Sequence, residues 1–184
     1  ITQPKLDGIR MVVNSRGLYS RSNKEIVAVP HIAVELEEFI ANHPTITLDG
    51  ELYNHELKDN FQKITSLVRK TVNLGADELA ESAELIEYHV YDMFDSANPE
   101  MPFSLRQAWL QGHLPVGDSE YKADKKVRLV QTDNCIDAKQ IDDRYGEYTQ
   151  AGYEGQMIRQ DTAYENKRSK NLLKRKEFIT EEYE

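Results

Sequence analysis

The first chemical signal lies at the start of the chain, ITQPKLDGIRMVV, where Lys5, Asp7, Gly8 and Arg10 stand at the mouth of an apolar run. A lysine amine can be a nucleophile, a carboxylate can hold a cation, and an arginine fork can hold phosphate. The plain alternative is a charged loop leading into a strand. Later segments have to decide between them.

Four such segments follow. In TITLDGELY (45–53), period-two alternation puts Ile46, Leu48 and Leu52 on one face and Asp49 and Glu51 on the other. Asp and Gly are poor strand formers, so the Asp49-Gly50 pair suggests close approach of a ligand; the alternative is a solvent-facing acidic strand. In NLLKRKEF, Lys174 and Lys176 are two apart and share one strand face. They repel unless an anion such as phosphate sits between them, or unless they snorkel from an edge strand. In YEGQMIR, Glu154 precedes a glycine at a strand entrance, where a carboxylate can hold hydrated magnesium or simply form a turn. In YHVYDMFD, alternation sends Tyr91 and Asp92 to opposite faces, and Tyr91 is either a platform for a base or an ordinary core aromatic.

Composition bounds what these residues can belong to. The chain has 184 residues, 39% hydrophobic and 30% charged, enough for one soluble globular domain with at most a small subdomain. No apolar run reaches membrane-spanning length and no signal-peptide pattern heads the chain, so no membrane partner is expected. The first residue is Ile1 rather than Met, and strand-like sequence follows at once, which suggests a segment of something longer. Cys135 is the single cysteine, so no internal disulfide can form, consistent with a reducing, intracellular compartment. The five histidines (31, 43, 55, 89, 113) show no zinc-site spacing. The net charge of -9 argues, taken whole, against a nucleic-acid binder. Its distribution is uneven: DELAESAELIE (77–87) is acidic, whereas KRSKNLLKRK (167–176) contains no acid. A charge run is usually a solvated face, but Leu172 and Leu173 interrupt this one.

The elements that must position these side chains are mixed. IRMVVNSRGLYSRS reads as a hairpin turning at Asn14-Ser15-Arg16-Gly17. PHIAVELEEFIANHP, bounded by Pro30 and Pro44, is an amphipathic helix with Ile32, Leu36, Phe39 and Ile40 on one stripe. DNFQKITSLVRK carries Phe61, Ile64, Leu67 and Val68 on a helical stripe read as core. SLRQAWLQGHL is a short helix closed near Gly112, and 137–152 is mostly helical. LIEYHVYDMF, VRLVQT, GQMIRQ and LLKRKEF are strands. Strands in hairpin-like succession among helices favour α+β with antiparallel sheets over a parallel βαβ fold.

Each motif is weak alone, but their order is specific. KLDGIR (5–10), SRSN (20–23), DGEL (49–52), YHVYDMF (88–94), EGQMIR (154–159) and LLKRK (172–176) together resemble the ordered blocks of the covalent nucleotidyltransferases. The match is closest to ATP-dependent DNA ligases, and ENKRSKNLLKRKE is similar to viral and phage-like members.

The resemblance implies a nucleotidyltransferase fold: two packed antiparallel β-sheets flanked by helices, with the nucleotide in the groove between them. It implies an adenylation domain over 1–178 and, at 179–184, the start of a hinge to an OB-fold domain elsewhere in the full-length chain. Lys5 is then the nucleophile that takes AMP from ATP, before AMP passes to the 5′-phosphate of a nick and the 3′-hydroxyl seals it. A free lysine has a pKa of about 10.4, so its neutral amine near pH 7.4 is about one part in a thousand, or roughly 4 kcal/mol uphill. Partial burial and nearby cations, with Lys174 and Lys176 the obvious ones, reduce that cost. The remaining nucleotide contacts implied are Gln3 at the adenine edge, Tyr91 stacking where the family often has Phe, Glu51 at the ribose hydroxyls, and Lys174 and Lys176 at the α-phosphate. Glu154 is the implied magnesium carboxylate. Arg10 and Arg21 fall at nucleotide or nick phosphates, and Arg159 and Arg168 at further phosphates. The implied partner is nicked double-stranded DNA, bound by a monomer in the cytoplasm or at the nucleoid.

Related enzymes fit less well. NAD-dependent ligases usually have Ala where this chain has Arg10, and capping enzymes usually have a DGLIF-like block in place of EGQMIR. An RNA ligase is the nearest enzymatic rival, and a catalytically silent nucleotide- or nick-binding module the rival of another class.

Overall fold

A computed structural model describes residues 1–116 and 125–176. The domain end at 178 and the hinge at 179–184 therefore lie outside the described residues. Among the described residues no helix is long and apolar enough to cross a membrane.

Two sheets carry the site. The smaller has the order β1–β7–β8, built from Thr2–Lys5, Gly155–Arg159 and Leu172–Lys176, all antiparallel. The larger has the order β3–β2–β4–β5–β6. Its strands are β2 (Ile9–Asn14), β3 (Gly17–Ser20), β4 (Ile46–Tyr53), β5 (Glu87–Asp95) and β6 (Val127–Leu129). The expected hairpin is present, with Asn14 opposite Gly17 and a Ser15-Arg16 turn. The antiparallel expectation holds for every pair except β5–β6, which is parallel. The physical reason is the connection: a helix, α4 (Phe103–His113), carries the chain back between them, as parallel strands require. Helix α4 ends at His113, next to Gly112 as expected.

One face of the larger sheet is the core. Met11, Val13, Leu48 and Leu52 are buried against Ile32, Leu36 and Phe39 of α1 (Pro30–Asn42) and Ile64, Leu67 and Val68 of α2 (Phe61–Val68). Helix α1 starts with Pro at its first turn, where the missing N–H costs nothing. Helix α2 is capped by Asn60, whose side chain accepts from the Lys63 N–H. Phe61, expected on the core stripe, is instead 37% exposed, because the first residue of α2 projects toward the groove. The acidic run folds as α3 (Ala76–Leu85), a helix its charge pattern did not announce. It pairs with α2 through Lys63–Glu81 and with the segment just after α2 through Lys70–Glu78. Helix α5 (Ala138–Gln150) packs on the smaller sheet, tied there by Gln156 Nε2 donating to the Ile141 carbonyl.

Two local features set the groove walls. Strand β5 has an extra residue: Asp49 pairs with Asp92 and Gly50 with Val90, so Tyr91 has no partner on β4. Gly50 faces this irregularity. A Cβ there would lie 2.5 Å from the His89 carbonyl oxygen and 2.7 Å from the Tyr88 ring. The glycine at Asp49-Gly50 is thus required by the close approach of β5.

Candidate active site

The groove between the sheets encloses about 1590 Å³. That exceeds the roughly 300–1,000 Å³ of an ordinary small-molecule pocket, leaving room beyond one nucleotide. The smaller sheet supplies one wall. Gln3 and Lys5 alternate onto the same face of β1, and the register places Gln3 beside Met157 and Met157 beside Lys174. The next row runs Lys5–Gly155–Lys176. Five expected residues, Gln3, Lys5, Arg159, Lys174 and Lys176, are therefore gathered on this sheet.

Lys5 Nζ is paired with the Glu154 carboxylate. The same carboxylate lies 3.6 Å from Lys176 Nζ, so it is the anion that separates the cations on this face. The backbone fixes this arrangement, because the Glu154 N–H donates to the Lys5 carbonyl at 3.2 Å. Asp7 lies next to the group. Burial and the Glu154 charge push its carboxyl above the usual range, while Lys5 and Lys176 oppose the shift.

The larger sheet supplies the other wall. Arg10 grips Asp49 with two bonds of 2.8 Å and donates to the Tyr164 hydroxyl (3.2 Å) and the Asn166 side-chain oxygen (3.1 Å). This bidentate bond to Asp49 holds the guanidinium firmly charged. Tyr164 in turn donates to Asp49 at 2.7 Å, which draws the 160–171 loop across the sheet. Arg10 and Glu51 are cross-strand partners. Burial pushes the Glu51 carboxyl up to about 8 and the Asp49 charge adds to this; Lys5, the Gly8 N–H and Arg10 act in the opposite direction. Gly8 permits that contact. A Cβ on it would lie 2.3 Å from the Leu52 carbonyl and 2.8 Å from Glu51 Cγ.

At the closed end, polar side chains from both sheets interlock. The Tyr91 carbonyl, released from the β4 ladder, accepts from Gln3 Nε2 at 3.0 Å and Gln107 Nε2 at 2.7 Å. Asp92 is buried and holds two arginines, Arg106 (2.7 and 3.0 Å) and Arg159 (3.1 Å). The Arg159 guanidinium lies 5.5 Å from the Tyr91 ring centre and 4.8 Å from that of Phe103. Tyr91 and Asp92, expected on opposite faces, both reach Arg159, because the extra residue breaks strict alternation. Arg159, expected at a phosphate, has its fork engaged by Gln3 and Asp92.

Arg21 and Arg168 are exposed and line the groove mouth with Lys24, Arg69 and Phe61. The residue types did not single out Arg106, Gln107, Thr132 or Tyr164. A signal existed for two of them: Phe103, Arg106, Gln107 and Leu110 share helical spacing, so a polar pair sits on a stripe that should be apolar. Among the described residues no three His, Cys, Asp or Glu side chains cluster as a metal site.

Known proteins match this architecture. A Lig E DNA ligase structure superposes with a TM-score of 0.69 at 24% identity, covering 96% of this chain and 61% of its own. The Chlorella virus DNA ligase-adenylate gives 0.71 at 22% identity, covering 95% and 60%. The bacteriophage T7 ATP-dependent DNA ligase, solved with ATP, gives 0.70 at 18%, covering 95% and 61%. The chain thus spans about three-fifths of the length of these structures, and at such identities the likeness establishes the fold. Among curated proteins no match is found. Residues 1–176 match the family described as ATP dependent DNA ligase domain, and the chain belongs to that family.

Proposed function

We propose that this domain performs the nucleotidyl-transfer steps of an ATP-dependent DNA ligase, with Lys5 as the nucleophile. The observation that carries the reading is the placement of Lys5 between Glu154 and the larger-sheet wall, on one face with Lys174 and Lys176. Lys5 Nζ attacks the α-phosphate of ATP, the N–P bond forms, and the bond to pyrophosphate breaks. The nick 5′-phosphate then takes AMP from Lys5, and the 3′-hydroxyl displaces AMP to form the phosphodiester.

The other residues divide the work. The Tyr91 ring offers a face to adenine, and Gln3 meets the adenine edge. Glu51, close to neutral at physiological pH, offers a hydroxyl as well as a carbonyl to the ribose. Lys174 and Lys176 hold the α-phosphate oxygens. Arg10, preset by Asp49, serves the ribose or nick phosphate, and Arg21 and Arg168 take backbone phosphates at the mouth. Arg159 supports the adenine end rather than phosphate.

Glu154 also fits a magnesium ion. It is one partly exposed carboxylate on the phosphate side, and magnesium usually keeps several waters and binds one or two carboxylates plus substrate phosphates. Bound there, magnesium would supply charge neutralisation at the phosphates. Glu154 would then be shared between the ion and the Lys5 ammonium.

Nicked double-stranded DNA is the proposed polymer, an OB-fold domain in the same full-length chain the proposed cover, a monomer the proposed state, and the cell interior the setting. The test incubates the full-length protein with α-labelled ATP, GTP or NAD and magnesium, followed by a denaturing gel. Label from ATP that disappears in Lys5→Ala supports the reading. Label from GTP alone indicates a capping-type enzyme, and no label indicates a silent binding module. Sealing assays on nicked DNA against RNA decide the polymer. The 184-residue segment by itself is expected to seal poorly, and robust sealing by it would overturn that expectation.

A further inference from the structure

We infer that Arg159, braced by Asp92 and Arg106, is a positioning residue that locks the Gln3 amide so that an acceptor alone faces the base. The inference rests on the reading that the groove takes a purine nucleotide on Lys5.

The hydrogen-bond valence of Gln3 carries it. Gln3 is 1% exposed and lies two residues from Lys5 on the groove face of β1. Both Nε2 hydrogens are used, one by the Tyr91 carbonyl at 3.0 Å and one by Thr132 Oγ1 at 2.9 Å. Oε1 accepts from Arg159 Nε at 2.8 Å and keeps a second lone pair. Turning the amide over would set carbonyl against carbonyl at Tyr91 and NH₂ against a guanidinium. Arg159 cannot easily follow such a turn. Its Nη1 is held by Asp92 at 3.1 Å, and Asp92 is held by Arg106. The side chains of Arg159, Asp92 and Arg106 are only 10%, 2% and 4% exposed. Phe103 and Tyr91 cover the Arg159 plane.

A locked acceptor suits an exocyclic amine and repels a carbonyl at the same place. The network therefore selects 6-amino over 6-oxo purines. A site built to pair with a polar group rejects an analogue that cannot pair far better than an apolar pocket does.

The test compares label on Lys5 from ATP and from ITP, which differ at the 6-position and in the proton the oxo form carries on N1, in the full-length protein. Arg159→Met is expected to lower the ATP preference about tenfold, with Arg159→Lys restoring part of it. In a Gln3→Leu background Arg159→Met should change the preference no further, because its effect passes through the amide. Equal losses with ATP and ITP, or an undiminished Arg159→Met effect in the Gln3→Leu background, overturn the inference. If Arg159→Met does not fold, Thr132→Val removes an Nε2 acceptor without touching charge. It should lower the preference to a smaller degree, and an unchanged ratio in this variant overturns the inference. Absence of label from every nucleotide in the unmodified protein instead overturns the nucleotidyl-transfer reading itself.

Discussion

The two ends of the groove are built on opposite terms. Around Lys5, ionic partners are partly exposed: the Lys5 and Glu154 side chains retain 17% and 26% of their surface, and Lys176 retains 48%. Around Asp92, the charges are sealed among Phe103, Tyr164 and Tyr91. The first set can exchange partners, because each of these ions keeps part of its surface in water. The second set cannot, because a buried charge that loses its partner has nothing to replace it. The proposed chemistry falls at the exchangeable end and the proposed base recognition at the sealed one.

This contrast can be broken at either end. The largest effect is expected from Lys5→Ala, which should abolish label from ATP on a denaturing gel while leaving the melting temperature within a few degrees of the parent. Asp92→Asn should do the reverse. It leaves Arg106 and Arg159 under-neutralised in the interior and should cost about 3–5 kcal/mol in a urea melt. Lys176→Ala should slow Lys5 labelling by about tenfold through lost phosphate charge, yet change stability by under about 1 kcal/mol. Equal stability losses for Lys176→Ala and Asp92→Asn would erase the distinction.

The smallest effect concerns Glu51. Its folded carboxyl titrates at about 8 against an ordinary 4.5. Between those values the folded state binds more protons than the unfolded one, so this group makes stability fall as pH rises from 4.5 through 8. Glu51→Gln should therefore raise the melting temperature of the ligand-free protein by several degrees at pH 8 and leave it unchanged near pH 4.5. A pH-independent difference would place the cost in packing instead of charge.

The exchangeable end was legible in the sequence, and the sealed end largely was not. Lys5, Glu154, Lys174 and Lys176 are singled out by the order of their motifs, and the two-residue spacing of Lys174 and Lys176 is carried into space by the register. Arg106, Gln107, Thr132 and Tyr164 come from a helix and two loops, and acquire meaning only where Arg106 meets Asp92, Gln107 the Tyr91 carbonyl, Thr132 Gln3 and Tyr164 Asp49. The fold class and most elements followed from periodicity. The parallel β6 escaped because three residues carry too little pattern to reveal direction. Helix α3 was hidden by its acidity, since its ionic partners are Lys63 on α2 and Lys70 just beyond it. Phe61 misled because a first-turn residue on an amphipathic stripe can face a groove as readily as a core.

The unpaired Tyr91 makes this protein sensitive to length in a way that substitution cannot imitate. Strand β5 counts one residue more than the partner it crosses, and the surplus is what releases a carbonyl to the opposite sheet. Deleting a single residue there would let the ladder close evenly. The strand would then be more regular, with Asp92 still opposite Asp49 and Val90 opposite Gly50, while the carbonyl bound by Gln3 and Gln107 would be lost. The Asp92 end of the groove thus depends on a counting mismatch between two strands, so insertions and deletions in β5 should be tolerated far less than changes of residue type at its exposed positions.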